Sequence, residues 1–124
     1  MLVRTSFALI AVPVLAAGLS ACSLLGQTWE VEMEVDGPGS AKVAGGFSGQ
    51  EDSEAESRTL PWREAANVGF GFNDLSVSEA EEGTTCRITV DGEVISEETV
   101  DEGGNAECFV NLQEGKAPKD SWGG

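Results

Sequence analysis

The stretch TCRITVDGEVIS, residues 85–96, restricts the possible folds of this chain more than any other part of its sequence. Two runs rich in β-branched residues lie on either side of Asp91 and Gly92. A two-residue Asp-Gly loop fits a type I′ turn, whose twist matches that of the antiparallel strands it joins. The sequence therefore predicts a β-hairpin that turns at Asp91 and Gly92. In the expected register, Ile88 lies opposite Ile95.

Strand patterns recur along the rest of the chain. Residues 28–35 (TWEVEMEV) alternate apolar residues with glutamates, which is typical of a half-buried strand with Trp29 in the core. A weaker strand pattern lies at residues 41–47, residues 67–80 fit either two short strands or one bulged strand, and residues 105–112 fit a last strand. Residues 58–62 form a strand end, where Pro61 indicates an edge or a bend. No convincing helical period follows Cys22. An all-β fold of about seven strands is therefore predicted, as a β-sandwich in preference to a small barrel.

The N-terminal segment resembles an export signal. Arg4 precedes the uncharged residues 7–21, which are fewer than the roughly 20 apolar residues of a transmembrane helix. The quartet LSAC, residues 19–22, resembles the lipobox of bacterial lipoproteins. In that motif the cysteine receives a diacylglyceryl group and becomes the first residue after cleavage. The alternatives are an ordinary signal peptide with an incidental cysteine and an uncleaved anchor.

These patterns divide the chain into four parts. We expect a lipoprotein signal peptide over residues 1–21, a short tether over 22–28, a β-sandwich domain over 29–112 and a flexible tail over 113–124. The expected location is the extracytoplasmic face of the cell membrane, with the lipid anchor attached at Cys22. Because the tether contains no long Gly/Ser spacer, the domain should lie close to the bilayer.

The charge balance excludes nucleic acid as a partner. The chain has 7 Lys and Arg against 22 Asp and Glu, a formal net charge of −15. Nucleic-acid affinity depends on cations that meet phosphates, and an anionic lipid surface would also repel so acidic a chain. A well-solvated surface is the simpler interpretation of this acidity.

The sequence contains no sign of catalysis. His is absent, no nucleophile, phosphate-loop or dinucleotide motif occurs, and we predict neither an enzyme nor a cofactor or metal site. Residues 101–105 (DEGGN) could surround a cation, but a turn between two strands is the preferred interpretation.

The two cysteines after Cys22 predict a disulfide. Cys86 and Cys108 form an even pair in a chain with an export signal, and an oxidising compartment favours their bridging. A metal site would need more ligands than two thiols without His, and a redox pair is more typically Cys-x-x-Cys.

Several separated stretches together resemble the MmpS family of small mycobacterial membrane proteins. They are Leu60-Pro61-Trp62, residues 86–95 (CRITVDGEVI) and Cys108, and residues 31–43 (VEMEVDGPGSAKV) are similar to that family's first strand and turn. The resemblance extends from roughly Trp29 to Phe109. Leu60, Pro61 and Trp62 are either core residues or a contact of the family motif.

This resemblance implies a fold and a role. The fold is an immunoglobulin-like β-sandwich outside the cytoplasmic membrane, and the role is that of an accessory to resistance-nodulation-division (RND) transporters, which export lipids or siderophores. Family members have an N-terminal transmembrane helix, whereas this chain has the quartet that ends at Cys22. The alternative function is a free-standing envelope lipoprotein that binds a small apolar or glycolipid ligand between its sheets, in a cavity of at least a few hundred Å³.

Overall fold

In a computed structural model, which describes residues 26–120, the chain forms two antiparallel sheets. The predicted signal peptide over residues 1–21 and the predicted lipid-attachment residue Cys22 lie outside the described residues. The strands are β1 (Trp29–Asp36), β2 (Ser40–Gly46), β3 (Glu56–Thr59), β4 (Trp62–Val68), β5 (Gly71–Ser78), β6 (Thr85–Val90), β7 (Glu93–Thr99) and β8 (Ala106–Leu112).

The two sheets have four strands each. Sheet A has the order β4-β1-β6-β7, and sheet B has the order β3-β2-β5-β8. Their inner faces pack together, which confirms the predicted all-β sandwich, with eight strands in place of about seven. Nowhere in residues 26–120 is there a helix with the length and apolar character needed to cross a membrane.

The core lies between the sheets, and β1 shows why these residues fill it. Trp29, Val31, Met33 and Val35 are each at most 3% exposed, because alternate side chains of a strand point to the same face. The glutamates between them point outward from sheet A. Leu75 from β5 is fully buried on the opposing sheet, so the alternation read in the sequence indicates the layer interface correctly.

Pro61 lies at a bend between two strands. The sequence predicted either a sheet edge or a bend at this residue. The chain leaves sheet B at Thr59, passes through a cis Leu60–Pro61 peptide bond and enters sheet A at Trp62. Since proline has no N–H to donate to a ladder, pairing ends on either side of it. The strand that follows, β4, was missed by the sequence analysis between residues 63 and 66.

The predicted hairpin is present, but its register differs from the expected one. Asp91 and Gly92 both have positive φ, 48° and 87°, as a type I′ turn requires. Ile88 lies opposite Ser96 rather than Ile95, because the register shifts between Ile88 and Thr89. The expectation was wrong because a β-bulge adds one residue to β7 and so shifts every later pair.

Residues 113–120, part of the predicted tail, run back beside β8. The backbone N–H of Asn111 donates to the carbonyl of Lys119 at 2.7 Å, and Lys119 N–H donates to the carbonyl of Asn111 at 3.2 Å. This isolated bridge covers part of the outer edge of β8.

Candidate functional site

The stretches that carry the family resemblance meet at one place in the fold. Val35 of β1 is paired with Trp62 of β4 on one side and with Cys86 of β6 on the other. These three residues form one row across sheet A. Cys86 is joined to Cys108 of β8 by a disulfide with a Cα–Cα distance of 6.1 Å. Both cysteines are fully buried, so the disulfide links the two sheets through the core.

The Leu60-Pro61-Trp62 motif is only partly a surface feature. Leu60 is buried, and its backbone N–H donates to the carbonyl of Gly39 at 2.9 Å. Trp62 is half-buried and packs against the core, while Pro61 is exposed. The motif therefore contributes mainly to the corner between β3 and β4, and it offers a partner Pro61 and one part of the Trp62 ring.

A row of alternating charges crosses the outer face of sheet A. Arg63 of β4, Glu34 of β1, Arg87 of β6 and Glu97 of β7 are successive cross-strand partners. Glu34 accepts from Arg63 Nη2 and from Arg87 Nη1, both at 2.6 Å, and Glu97 accepts from Arg87 Nε at 2.7 Å. We call these four residues the charge ladder.

Glu34 is the central member of the charge ladder. Its side chain is 14% exposed, less than those of its partners. The hydrogen bond from Arg63, together with that from Arg87 and the charges of both guanidinium groups, lowers the pKa of Glu34 below its ordinary value, although burial acts in the opposite direction.

The outer face of sheet B combines aromatic and acidic side chains. The rings of Phe72 and Phe109 stack with centroids 5.5 Å apart. Burial raises the pKa of Asp74, and the negative charges of Asp52 and Glu107 raise it further. Within residues 26–120, however, no group of three or more His, Cys, Asp or Glu side chains is arranged to hold a metal ion.

The loop over residues 101–105 is a turn. One carboxylate oxygen of Asp101 accepts from the backbone N–H groups of Gly103 and Asn105 at 2.9 and 3.0 Å. Asp101 N–H in turn donates to the carbonyl of Asn105 at 2.9 Å. The carboxylate therefore stabilises the connection between β7 and β8.

One surface groove lies outside the sandwich, beside β5, β7 and β8. Its volume is about 570 Å³, and polar residues such as Ser76, Glu98 and Asn105 contribute most of its lining. Between the sheets, the positions that a ligand would occupy are filled by fully buried side chains, including Met33 and Leu75. The groove is large enough for a small molecule, but it is open to solvent and is not a cavity enclosed between the sheets.

The described chain begins at one end of the sandwich, which we call the Gly26 end. Gln27 Oε1 accepts a hydrogen bond from the backbone N–H of Gly115, in the turn after β8, at 3.2 Å. The β4–β5 turn lies at the same end, and its Phe70 shares a surface groove with Glu114. Sequence analysis did not select Phe70, although its position between two glycines was a visible sign of an exposed turn.

Comparison with known proteins does not assign this chain to a family. A scan against models of protein families and a search of the curated proteins both find no match for the chain. Its class is therefore defined by the fold, an all-β sandwich whose two sheets are joined by a disulfide.

Proposed function

We propose that this chain is a lipid-anchored accessory protein that acts beside an RND-type transporter at the extracytoplasmic face of the cell membrane. A diacylglyceryl group on Cys22 attaches it to the membrane, and the sandwich provides a contact surface for a transporter that exports lipids or siderophores. The protein is a binding partner in this role and catalyses no step itself.

The observation that carries the proposal is the row formed by Trp62, Val35 and Cys86, with its disulfide to Cys108. These residues come from the stretches on which the MmpS resemblance depends, although more than 70 residues separate Val35 from Cys108 in the chain. Their convergence supports a common fold rather than a chance similarity of short motifs. An inter-sheet disulfide also fits an exported protein, because oxidising compartments preserve such bonds.

The packing of the core supports the accessory role over a ligand held between the sheets. Met33, Leu75 and Ile88 are fully buried, and native cores leave few voids larger than a water molecule. A ligand of even modest size would have to separate the sheets, and the disulfide between Cys86 and Cys108 opposes that separation.

The transporter role is tested by co-purification from gently solubilised membranes. We expect the intact chain to retain an RND-type transporter. A control chain should lose it when residues 29–112 are replaced by an unrelated β-sandwich behind the same first 28 residues. Failure to recover any transporter with the intact chain, or equal recovery with the control, contradicts the proposed role.

The lipid anchor is tested separately with Cys22→Ala. Because the thiol is the acceptor of the diacylglyceryl group in the lipobox, the variant should lose metabolic labelling by a fatty acid and accumulate as uncleaved precursor. Ser20→Ala, which keeps a small residue before the cysteine, is the matched control and should be labelled normally. Labelling that persists in Cys22→Ala contradicts the anchor.

A further inference from the structure

We infer that the Gly26 end of the sandwich contacts the phospholipid bilayer through Phe70, with Lys116 and Lys119 placed to meet lipid phosphates. The inference rests on the lipid anchor proposed at Cys22. It adds an orientation to that proposal, because one end of the domain then faces the bilayer and the opposite end faces away from it.

Exposed hydrophobic side chains are concentrated at the Gly26 end. Within residues 26–120, the large hydrophobic side chains most exposed to solvent are Phe70 at 68%, Phe72 at 50% and Val94 at 50%. Phe70 is in the β4–β5 turn, Phe72 is two residues further on, and Val94 is two residues after the hairpin turn. That turn lies at the same end, because Asp91 N–H donates to the carbonyl of Glu30 at 2.9 Å.

An aromatic ring on a turn at this position is suited to a membrane surface. Phe70 lies between Gly69 and Gly71, outside the regular strands. Its ring therefore extends beyond the sheets, where burial in lipid would remove most of its apolar area from water.

Two lysines in the segment after β8 differ from the other cations of the domain. The chain has seven Lys and Arg residues, of which Arg4 lies outside the described part. Four of the other six form ion pairs with carboxylates: Lys42, Arg58, Arg63 and Arg87. Lys116 and Lys119 form no ion pair with any described residue, and both are exposed. No carboxylate of residues 26–120 therefore neutralises their charges.

Gln113, in the turn after β8, lies between the lysines and the Phe70 groove, because Gln113, Lys116 and Lys119 line one shallow depression. Lys116 N–H donates to the carbonyl of Gln113 at 3.1 Å, and Gln113 also lines the groove beside Phe70. A lysine near an anionic lipid surface contributes about 1 kcal/mol of attraction. Lys116 and Lys119 thus act locally against the repulsion that the net charge of −15 produces.

The chain between Cys22 and Gly26 is short, and this favours lipid over any other molecule as the partner of this surface. Only residues 23–25 lie between Cys22 and Gly26, so an anchor on Cys22 would lie within roughly 14 Å of Gly26 even in a fully extended chain. The opposite end is about 25 Å further along the strands. A tether this short keeps the Gly26 end at the bilayer surface.

The test uses the full lipidated chain in vesicles of phosphatidylcholine and phosphatidylglycerol with brominated acyl chains, which quench tryptophan on contact. Phe70→Trp is the reporter, and Glu102→Trp, on the exposed turn at the opposite end, is the matched control. The emission of the unsubstituted chain is subtracted from both. We expect the bromines to remove about half of the emission added by Phe70→Trp and almost none of that added by Glu102→Trp.

A second pair of variants tests the lysines. Lys116→Gln with Lys119→Gln, introduced into the Phe70→Trp chain, should reduce the quenching in vesicles that contain phosphatidylglycerol. The reduction should be smaller in phosphatidylcholine alone, because the attraction to net anionic lipid is then absent. An unchanged difference between the two lipid compositions overturns the role of the lysines.

Flotation of the vesicles and the intact mass of the chain measure the anchor independently. A chain that carries its lipid and floats, but shows no quenching at Phe70→Trp, overturns the bilayer contact while the anchor remains. Equal quenching of Phe70→Trp and Glu102→Trp overturns the orientation. A chain that lacks the lipid and stays with the soluble fraction overturns both the anchor and the contact.

Discussion

Glu34 shows how a single residue connects the strand pattern of the sequence to the electrostatics of the surface. It is one of the outward glutamates of β1, which the sequence alone would describe as a solvated face. In the fold its carboxylate lies between two guanidinium groups, each 2.6 Å away. Isolated surface ion pairs contribute little, but several charges that share one partner form a stronger network. The charge ladder therefore stabilises the alignment of all four strands of sheet A.

Glu34→Gln should lower the free energy of unfolding by about 1 kcal/mol at neutral pH, because both arginines lose a charged acceptor. Chemical denaturation measures this loss. Glu30→Gln, on the same face of β1 but without an ion pair among the described residues, is the matched control and should change stability by less than about 0.5 kcal/mol.

The loss of stability in Glu34→Gln should also depend on pH. The pKa of Glu34 is lowered in the folded state, so its stabilising contribution is fully present above the pKa of the unfolded chain. It is lost as the pH falls through the folded pKa and the carboxylate takes up a proton. The stability difference between the unsubstituted chain and Glu34→Gln should therefore shrink in acid. A difference that stays constant from neutral to strongly acid pH contradicts the charge ladder.

At the scale of elements, the hairpin between β6 and β7 depends on the backbone conformation of its turn. Gly92 has a φ of 87°, and a Cβ built there meets no atom within 4 Å. Gly92→Ala should therefore cost about 1 kcal/mol through the left-handed conformation alone. Gly69→Ala is the matched control, since that position is equally open but has no positive φ. Equal denaturation midpoints for the two variants would contradict this interpretation of the turn.

The elements that could be predicted from the sequence are those with a local physical cause. The alternation in β1 and the Asp-Gly turn each fit a short stretch, so the pattern alone indicates the structure. β4 escaped prediction because residues 63–66 form an edge strand with little apolar alternation. The strand exists through its pairing with β1, a partner about 30 residues away in the chain.

The register of β7 was unpredictable for a related reason. Ser96 is buried, and its Oγ accepts from the backbone N–H of Phe109 on β8 at 3.1 Å. A contact with the other sheet thus accompanies the bulge near Ile95, and no pattern within the hairpin reveals it. The glycines beside Phe70 indicate an exposed turn, but no local pattern shows that this turn lies beside Gln113 and Glu114 at the Gly26 end.

At the scale of the whole molecule, the two sheets share no backbone ladder, and core packing, the hydrogen bond from Phe109 N–H to Ser96 Oγ and the disulfide hold them together. The disulfide between Cys86 and Cys108 spans 22 residues of sequence, and in the chain-entropy model a loop of this length stabilises the fold by about 3 kcal/mol. The double variant Cys86→Ala, Cys108→Ala should therefore unfold at a markedly lower denaturant concentration than the oxidised, unsubstituted chain. The same chain with its cysteines intact but fully reduced, in excess reductant, should unfold close to the double variant. If the oxidised chain and the double variant instead unfold together, the noncovalent contacts between the sheets are sufficient, and the disulfide adds no measurable stability to this small core.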